Sequence, residues 1–242
     1  MATEVCVVLP FFNEQELMSG LPDVLERIRG ALADYSVVFL CVDDGSTDAT
    51  PAGLTKLASR ADVEVLTHSE NRGAGAAMGT GLAGVRVDIA LVYDPDEAYA
   101  PDTLAPLIAA VERGADVATL SPYHPEGGVE GVGPFRLFLS RAASMLYRRR
   151  LRSSLHTFTC AVRAYRMSAI RGILPPPDDF TAAAWLMARA LQQGLSVIEV
   201  PSVLKVRASG SSKMRILSTI RSHLRLLRDL SVTPAADDRP RS

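Results

Sequence analysis

Two aspartates separated by one proline are the residues of this 242-residue chain whose spacing is most suggestive of chemistry. Asp94-Pro95-Asp96 follows the apolar run 87–93 (VDIALVY), which has the composition of a buried strand. In open α/β sheets, ligands bind at the carboxyl ends of the strands. Two carboxylates this close repel each other unless a cation lies between them, and their hard oxygens suit Mg²⁺ or Mn²⁺, which also bind phosphate. The alternative is an ordinary acidic turn.

Polar residues follow two other apolar runs in the same way. The run 37–42 leads into DDGSTD at 43–48, and the run 5–9 leads into PFFNE at 10–14. Three strands would therefore bring acidic and polar side chains to one rim of a sheet. This coincidence favours a ligand site over three unrelated loops.

The charge of the chain is divided between its two halves. Residues 1–120 contain 7 Lys+Arg and 19 Asp+Glu, a net charge of −12, whereas residues 121–242 contain 19 and 8, a net charge of +11. An acidic half beside a basic half suggests a cation-and-nucleotide site that faces a surface for anions. The alternative is two solvated faces of a polar protein. An apolar content of 48% is enough for a substantial core.

Cysteines, histidines and apolar runs limit the possible classes of protein. Cys6, Cys41 and Cys160 lie in apolar runs without metal-ligand spacing, which indicates buried thiols in a reducing compartment. The four histidines form no ligand pattern. Residues 1–8 do not resemble a signal peptide, and no apolar run approaches the roughly 20 residues of a spanning helix. We therefore expect a cytoplasmic protein that is soluble or peripheral on a membrane.

Alternating strands and helices position the polar rim. The patterns predict strands near 4–9, 36–42, 63–67, 87–93 and 116–120, and helices near 15–33, 48–60, 74–86 and 102–113. Such alternation indicates a mostly parallel sheet covered on both faces. The small residues at 71–77 (NRGAGAA) would allow close backbone approach and offer free amides to an anion at a helix start. A dinucleotide-binding fold is disfavoured, because Pro10 and Glu14 stand where it needs glycines.

The second half of the chain differs from the first in amino-acid composition. Residues 121–134 are rich in Gly and Pro and are predicted to form a loop near the site. The remaining predictions are a basic helix at 135–155, a strand at 159–165, a helix at 181–193, a strand at 197–201, a cationic loop at 205–214, an amphipathic helix at 215–230 and a disordered tail at 232–242.

Taken in order, these segments resemble glycosyltransferase family 2, and within it the dolichol-phosphate mannose synthase and polyprenol-phosphate glycosyltransferase branch. The resemblance covers roughly residues 4–230 and is carried by LPFFNE (9–14), VDDGSTD (42–48), NxGxGxA (71–77), DxD (94–96), GGVEG (127–131), VRAYR (162–166) and RxxGxSK (207–213). It implies a single GT-A domain at 1–230, with a nucleotide-binding half at 1–120 and an acceptor-binding half at 121–230, followed by a tail at 231–242.

The resemblance also implies a reaction and roles for individual residues. The reaction would be the metal-dependent, inverting transfer of a hexose, with mannose favoured, from a GDP- or UDP-sugar to a polyprenyl or dolichyl phosphate. The implied nucleotide-sugar contacts are Pro10, Asn13, Glu14, Asp43, Asp44, Asn71, Gly75 and Asp94; the metal ligands for Mg²⁺ or Mn²⁺ are Asp94 and Asp96; the catalytic residues are Asp96, Arg207 and Lys213, with Ser212 in the same loop; and the acceptor contacts are Arg136, Ser140 and Arg141. We expect Asp43, Asp44, Asp94 and Asp96 to meet around one divalent ion.

Departures from the family pattern keep two other functions open. Ala98 stands where relatives often carry Gln, and Pro122 stands where they carry Arg. A hydroxyl acceptor would need a positioned carboxylate, whereas an acceptor phosphate is already an anion. Asp178 and Asp179 are the nearest acids for that task, and either a base or a helix cap fits them. The alternatives are therefore transfer to a soluble hydroxyl acceptor in specialised metabolism and a catalytically weak nucleotide-sugar-binding protein.

Two basic amphipathic helices bear on membrane contact. The segments 135–152 and 215–230 would suit an interface rich in anionic lipids. Alternatively, both helices pack on the domain and solvate their arginines. Nucleic-acid binding is disfavoured, because the basic half contains no recognised module for it.

Overall fold

The computed structural model describes residues 2–174, 177–205 and 216–230, although it does not describe the side chains of 216 and 217. The strands are β1 (Glu4–Phe11), β2 (Ser36–Asp43), β3 (Val63–Thr67), β4 (Ile89–Val92), β5 (Val117–Ser121), β6 (Gly128–Glu130), β7 (Arg163–Arg166), β8 (Val197–Pro201) and β9 (Val203–Lys205). The helices are α1 (Leu21–Ala31), α2 (Thr50–Leu57), α3 (Ala74–Gly84), α4 (Leu104–Glu112), α5 (Pro134–Leu151), α6 (Met167–Ile170), α7 (Ala182–Gln192) and α8 (Ile216–Asp229), with 3₁₀ turns at Pro101–Thr103 and Arg171–Ile173.

Within the described residues, seven strands form one sheet in the order β3-β2-β1-β4-β7-β5-β8, and β6 pairs with β9 in a separate parallel ribbon. Of these seven strands, β7 alone runs antiparallel to its neighbours. Because β2, β1 and β4 are adjacent and parallel, their carboxyl ends meet at one edge. The predicted mostly parallel sheet is confirmed. The polar segments that follow β1, β2 and β4 lie at one rim of this sheet.

Both faces of the sheet are buried, as the continuous apolar runs predict. In β1, Val5, Val7 and Leu9 belong to a cluster that includes residues of α1, α2 and α4, whereas Cys6 and Val8 belong to a cluster on the other face with α3 and α7. This alternation follows from the two-residue period of a strand. The burial of the three free thiols also agrees with the sequence prediction.

A third apolar cluster joins α5, α7 and α8. Tyr147 and Phe158 stack in it with a centroid separation of 5.7 Å. The Tyr147 hydroxyl is hydrogen-bonded to His223 Nδ1 at 2.8 Å, and the Arg150 guanidinium donates to the carbonyls of Leu227 and Leu230 at the end of α8. These contacts fasten α8 to α5. Within the described ranges, no helix is both long and apolar enough to cross a bilayer.

Among the residues that the structure describes, the largest fully buried side chain is Arg163, on β7. Its guanidinium donates to Thr119 Oγ1 (3.1 Å) on β5, to the Phe158 carbonyl (2.8 Å) and to the Ala183 carbonyl on α7. One side chain therefore connects the sheet, the loop before β7 and the beginning of a covering helix.

Several predicted boundaries were wrong for local reasons. Helix α1 begins at Leu21 rather than near residue 15, because the preceding residues form separate turns and Pro22 suits the first helical turn. Strand β7 covers Arg163–Arg166 rather than the predicted 159–165, so it begins four residues later and ends one residue later. The three-residue strand β6 lies inside the predicted loop 121–134 and has no pattern of its own. The predicted tail lies outside the described residues, as does the cationic loop except for Lys205.

Candidate functional site

The loops that follow β1 and β2 are fastened to each other. Asn13 has a left-handed backbone conformation (φ 52°), which asparagine tolerates better than most residues. Its N–H donates to Ser46 Oγ (2.9 Å), and its Oδ1 accepts from the Thr47 N–H (2.8 Å). Asp48 accepts from the Thr50 N–H (2.9 Å) at the beginning of α2. The segments 10–14 (PFFNE) and 43–48 (DDGSTD) are therefore hydrogen-bonded to each other at the rim.

Pro10 and Asp43 lie where β1 and β2 end. Pro10 pairs with Val42 in the strand register, and Phe11 pairs with Asp43. Asp43 is buried, and its Oδ1 accepts a hydrogen bond from the Ser46 N–H at 3.1 Å. This hydrogen bond shapes the turn that leads into α2.

Asp44 is a buried anchor for the loop that precedes α3. Its carboxylate accepts from the N–H groups of Arg72 (3.0 Å) and Gly73 (2.7 Å), and His68 Nδ1 lies 2.7 Å from its Oδ1. The other ring nitrogen of His68 is hydrogen-bonded to Thr80 Oγ1 at 2.9 Å. Both carboxylate oxygens of Asp44 are thus engaged by protein groups that hold this loop against the rim.

The expected ring of four acids around one ion is wrong. In the part of the chain that the structure describes, no three His, Cys, Asp or Glu side chains are grouped closely enough to hold a metal. Asp44 is engaged by the loop 68–73, and Asp43 by its own turn. The candidate metal ligands are therefore the pair Asp94 and Asp96 alone.

This pair lies directly after β4 at the carboxyl edge. Asp94 is partly buried and Asp96 is exposed. Burial, and secondarily the charge of Asp96, raise the pKa of Asp94 to about 7. Asp96 Oδ1 also accepts from the Ala98 N–H at 3.0 Å. Two carboxylates that resist being ionised together are suited to a divalent cation whose remaining ligands come from phosphate and water.

Glu97, next to Ala98 in the chain, binds Arg27. It has a left-handed backbone (φ 54°), and its carboxylate accepts from Arg27 Nε (2.8 Å) and Nη2 (2.6 Å) on α1. This bidentate, charge-assisted contact has defined geometry. Glu97 therefore fastens the carboxylate loop to α1.

The end of β9 is tied to the same loop. The Lys205 N–H donates to the Ala98 carbonyl at 2.9 Å, and Lys205 Nζ lies 3.3 Å from Glu130 Oε2 on β6. The predicted catalytic residues Arg207 and Lys213, and Ser212 with them, lie outside the described residues.

The beginning of α3 is occupied by the segment 177–179. The N–H groups of Gly75 and Ala76 donate to the Asp178 carbonyl at 3.0 and 3.3 Å. The prediction that these amides are free for an anion is therefore wrong, and Gly75 serves close packing instead. Asn71, just before this helix, is exposed.

Asp179 stabilises the turn before α7, whose N-cap residue is Thr181. Its Oδ1 accepts from the N–H (2.8 Å) and the hydroxyl (2.5 Å) of Thr181, immediately before α7. Burial acts to raise the pKa of Asp179, but hydrogen bonds from Thr181 and Ser222 outweigh it and lower the pKa. These contacts favour a structural role in the turn before α7 over the general base, and they do not form a side-chain cap of the helix.

We expect Gly75→Ala to destabilise the protein by about 2–4 kcal/mol, through overpacking and loss of the close approach. A Cβ at this position would lie 2.0 Å from the Pro177 carbonyl oxygen and 2.6 Å from that of Asp179. The matched control is Gly30→Ala in α1, where nothing lies within 4 Å of the added atom. That change should stabilise by about 0.5–1 kcal/mol. Urea unfolding of both variants checks the contrast, and equal stabilities would contradict the packing role.

The predicted acceptor residues gather on α5 around Tyr123. Ser140 Oγ lies 3.0 Å from Thr159 Oγ1, and the Arg141 guanidinium lies over the Tyr123 ring at 5.5 Å. Burial raises the pKa of Tyr123, against opposing effects that include Ser140, Arg141 and Arg136. The three predicted acceptor residues are therefore neighbours of one phenol. Beside it is an open cavity of about 290 Å³, lined by Tyr123, Arg141, Ser144, Met145, Arg148 and His156.

Sequence reasoning missed a hydrogen-bonded cluster behind this cavity. The Glu199 carboxylate on β8 accepts from Ser121 Oγ (2.7 Å) and from the Thr157 N–H (2.8 Å). It also accepts from the His156 N–H (2.9 Å) and lies 2.8 Å from His156 Nδ1. His156 and Glu199 are 43 residues apart, so no local pattern could have paired them.

Tyr99 lies between the carboxylate pair and this cavity. Its carbonyl accepts from the Tyr93 hydroxyl at 2.5 Å, and its own hydroxyl lies 3.6 Å from Cys160 Sγ. Burial chiefly raises the pKa of Tyr99, and the charges of Cys160, Tyr123 and Asp94 add to the effect. The acidic pair and the arginine-lined cavity are therefore neighbouring parts of one region.

Comparison with known proteins gives consistent matches. The sequence profile described as glycosyl transferase family 2 matches residues 6–174. The polyprenol monophosphomannose synthase of Mycolicibacterium smegmatis is 36% identical over 217 residues, which are 86% of this chain and 80% of that protein. The dolichol-phosphate mannosyltransferase of Pyrococcus furiosus is 28% identical over 218 residues, which are 88% of this chain and 59% of that protein.

Solved structures of similar fold include two glycosyltransferases. Glucosyl-3-phosphoglycerate synthase of Mycobacterium tuberculosis, in complex with Mn²⁺, UDP and glucosyl-3-phosphoglycerate, has a TM-score of 0.70 at 20% identity and covers 97% of this chain and 82% of its own. A mannosyltransferase of Pyrobaculum calidifontis, in complex with GDP-Man and Mn²⁺, has a TM-score of 0.62 at 20% identity and covers 92% of this chain and 62% of its own. These likenesses confirm the predicted GT-A fold.

Proposed function

Because the chain belongs to glycosyltransferase family 2, we propose that it transfers a hexose, with inversion, from a nucleoside-diphosphate sugar to a polyprenyl phosphate. Mannose is the favoured hexose, because the relatives from Mycolicibacterium and Pyrococcus are named for mannose or mannosyl transfer. The observation that carries the proposal is the carboxylate pair Asp94 and Asp96 beside an arginine-lined cavity.

On the donor side, Asp94 and Asp96 would hold a divalent ion, Mg²⁺ or Mn²⁺, together with the donor diphosphate. The bound ion would neutralise charge on the departing nucleoside diphosphate. The fit rests on two hard carboxylates at one loop and on the raised pKa of Asp94, which marks a pair that lacks a compensating charge. Metal-bound neighbours of the same fold are consistent with this assignment.

The nucleotide would lie along the rim formed by β1 and β2. Pro10, Asn13, Glu14 and Asp43 are the proposed contacts at the strand ends, and Asn71 is the exposed contact from the loop before α3. Asp44 would act indirectly, by holding that loop in place. Residues 1–120 would thus form the donor half and residues 121–230 the acceptor half.

Arg207 and Lys213 are proposed to neutralise the leaving diphosphate, with Ser212 beside them. Preorganised cations of this kind stabilise charge that develops in a transition state. The support is the hydrogen bond from Lys205 to Ala98 in the carboxylate loop. Arg207 follows Lys205 by two residues in the sequence.

On the acceptor side, Arg136, Ser140 and Arg141 would receive the lipid phosphate. A phosphate is already nucleophilic at neutral pH and needs little help from a base. The hydrogen bonds of Asp179 with Thr181 before α7 favour this acceptor over a hydroxyl compound.

We also propose peripheral contact with a membrane through α5. Its side chains Phe135, Phe138 and Met145 are 63%, 67% and 57% exposed, and arginines are interspersed among them. Apolar side chains that insert between lipids, flanked by cations near anionic headgroups, are characteristic of interfacial helices.

The decisive experiment is a transfer assay with the purified chain. With Mn²⁺, polyprenyl phosphate and labelled GDP-mannose or UDP-hexose, we expect a lipid-linked sugar whose formation stops when EDTA is added. Heat-inactivated protein and a reaction without the lipid phosphate are the controls. Transfer to soluble hydroxyl acceptors but never to the lipid phosphate would contradict the proposed acceptor, and binding of donors without any turnover would contradict catalysis.

A further inference from the structure

His156 lines the arginine-rich cavity and is held there from behind by a buried carboxylate. Its backbone N–H and its Nδ1 both bond to Glu199, whose side chain is only 7% exposed. Because Nδ1 faces the carboxylate, Nε2 is the remaining polar atom of the ring. A histidine oriented in this way can present Nε2 to a ligand in a fixed direction.

Helix α5 contributes two guanidinium groups to the lining of the cavity. Arg141 and Arg148 both line the cavity from α5, and neither has a carboxylate partner within the described ranges. Tyr123 adds a phenol beneath Arg141. Two arginines, an oriented imidazole and a phenol around about 290 Å³ match the donor requirements of a phosphate monoester.

We propose that His156, positioned by Glu199, binds the phosphate monoester of the acceptor together with Arg141 and Arg148. This inference rests on the proposed function for the isoprenyl nature of the acceptor, and it supplies a cation in the region where Pro122 replaces the expected arginine. His156 would touch the substrate, whereas Glu199 is a positioning residue.

The proposed contact makes and breaks no covalent bond. The Nδ1–H of His156 donates to the Glu199 carboxylate, so that Nε2 shares one proton with a phosphate oxygen, and the guanidinium groups of Arg141 and Arg148 donate to the other phosphate oxygens. The charged and titratable groups around the ring are Glu199 from β8, Arg141 and Arg148 from α5, and Tyr123 and His124 from the loop after β5.

The test compares two asparagine variants. In His156→Asn the amide can still donate to Glu199 from the position of Nδ1, but Nε2 is lost. His124→Asn is the matched control, because His124 packs edge-on to His156 at 5.3 Å without lining the cavity. Its new side-chain oxygen can still accept from the Glu126 N–H, as His124 Nδ1 does at 3.2 Å.

Binding of geranyl phosphate is measured by calorimetry without donor or metal, alongside glycerol phosphate and inorganic phosphate. We expect His156→Asn to weaken geranyl phosphate binding about 10- to 100-fold, as for loss of a charge-assisted hydrogen bond. His124→Asn should bind as the wild type does. Stronger binding of geranyl than of glycerol phosphate identifies an isoprenyl acceptor, and equal binding identifies a soluble phosphorylated one.

The transfer assay separates failure of this inference from failure of the proposed function. If lipid-linked sugar forms and His156→Asn leaves both the KM for lipid phosphate and the binding of geranyl phosphate unchanged, the subsite is refuted while the function stands. If geranyl phosphate binds in a His156-dependent way but no sugar is transferred, the function is refuted while the subsite stands. Donor-induced thermal shifts should be the same in all three proteins.

Discussion

Asp94→Asn is expected to reduce metal-dependent sugar transfer by at least about 10²- to 10³-fold, the scale for loss of one main electrostatic contact to a transition state. Asparagine keeps the size of the side chain but removes the negative charge that would hold the cation. Initial rates with saturating Mn²⁺ and donor measure the effect. Asp96→Asn should cause a comparable loss. Asp102→Asn, an exposed carboxylate in the next turn, is the control and should retain full activity.

The same substitution should stabilise the metal-free protein at neutral and higher pH. The pKa of Asp94 is raised from its ordinary 3.8 to about 7, so the folded chain binds more protons than the unfolded chain between these values. Its contribution to stability is therefore fully present below about pH 4 and is lost as the pH rises towards 7. Asparagine does not ionise and avoids that loss. After allowance for partial exposure we expect a gain of about 1–3 kcal/mol at pH 8.

Thermal unfolding with EDTA at pH 8 and at pH 4 tests this sign. The melting temperature of Asp94→Asn should exceed that of the wild type by about 2–4 °C per kcal/mol at pH 8, and the difference should disappear at pH 4. Asp96→Asn should show a smaller gain, because Asp96 is exposed. A variant that is less stable at pH 8 than the wild type would contradict the unfavourable ionisation of Asp94.

Arg163→Met is expected to cost about 3–5 kcal/mol of folding free energy, the range for breaking a buried charged network. Methionine fills much of the same volume, but it leaves the acceptors Thr119 Oγ1, Phe158 O and Ala183 O without their donors. Buried acceptors that lose a partner bear the full cost of desolvation. The change would disturb β5, β7 and the beginning of α7 together.

Denaturant unfolding followed by circular dichroism measures this loss. Arg189→Met is the control, because Arg189 is exposed on α7 and lies over the Trp185 ring at 5.3 Å. That variant should change stability by less than about 1 kcal/mol. Arg163→Met with wild-type stability would show that the buried guanidinium is dispensable. If the variant does not accumulate as folded protein, Arg163→Lys, which keeps one donor group, should recover part of the stability.

Agreement between sequence and structure is closest where local pattern is enough. The apolar runs of β1, β2 and β4 are each followed directly by polar residues, and parallel pairing of the strands brings these residues to one edge of the sheet. The period of a strand and the rule for carboxyl edges depend only on nearby residues. For this reason we could predict the alternation of helix and strand in the first half of the chain. The position of Asp94 and Asp96 at the carboxyl edge was predictable on the same ground.

The tasks of individual polar side chains were harder to predict. Asp44 and Gly75 fit a nucleotide site by motif, yet Asp44 holds the loop before α3, and Gly75 admits the segment 177–179. Glu97, beside the carboxylate pair, is bound to Arg27 on α1. In each case the partner comes from a part of the chain that no motif connects with it.

Local patterns were enough to predict the order of the elements, the acidic rim and the family, because periodicity, strand ends and ordered motifs are properties of neighbouring residues. The folded arrangement was needed to show which carboxylates have protein partners and that Glu199 orients His156. The physical reason is that a hydrogen bond depends on distances of about 3 Å, which packing sets between residues far apart in the chain.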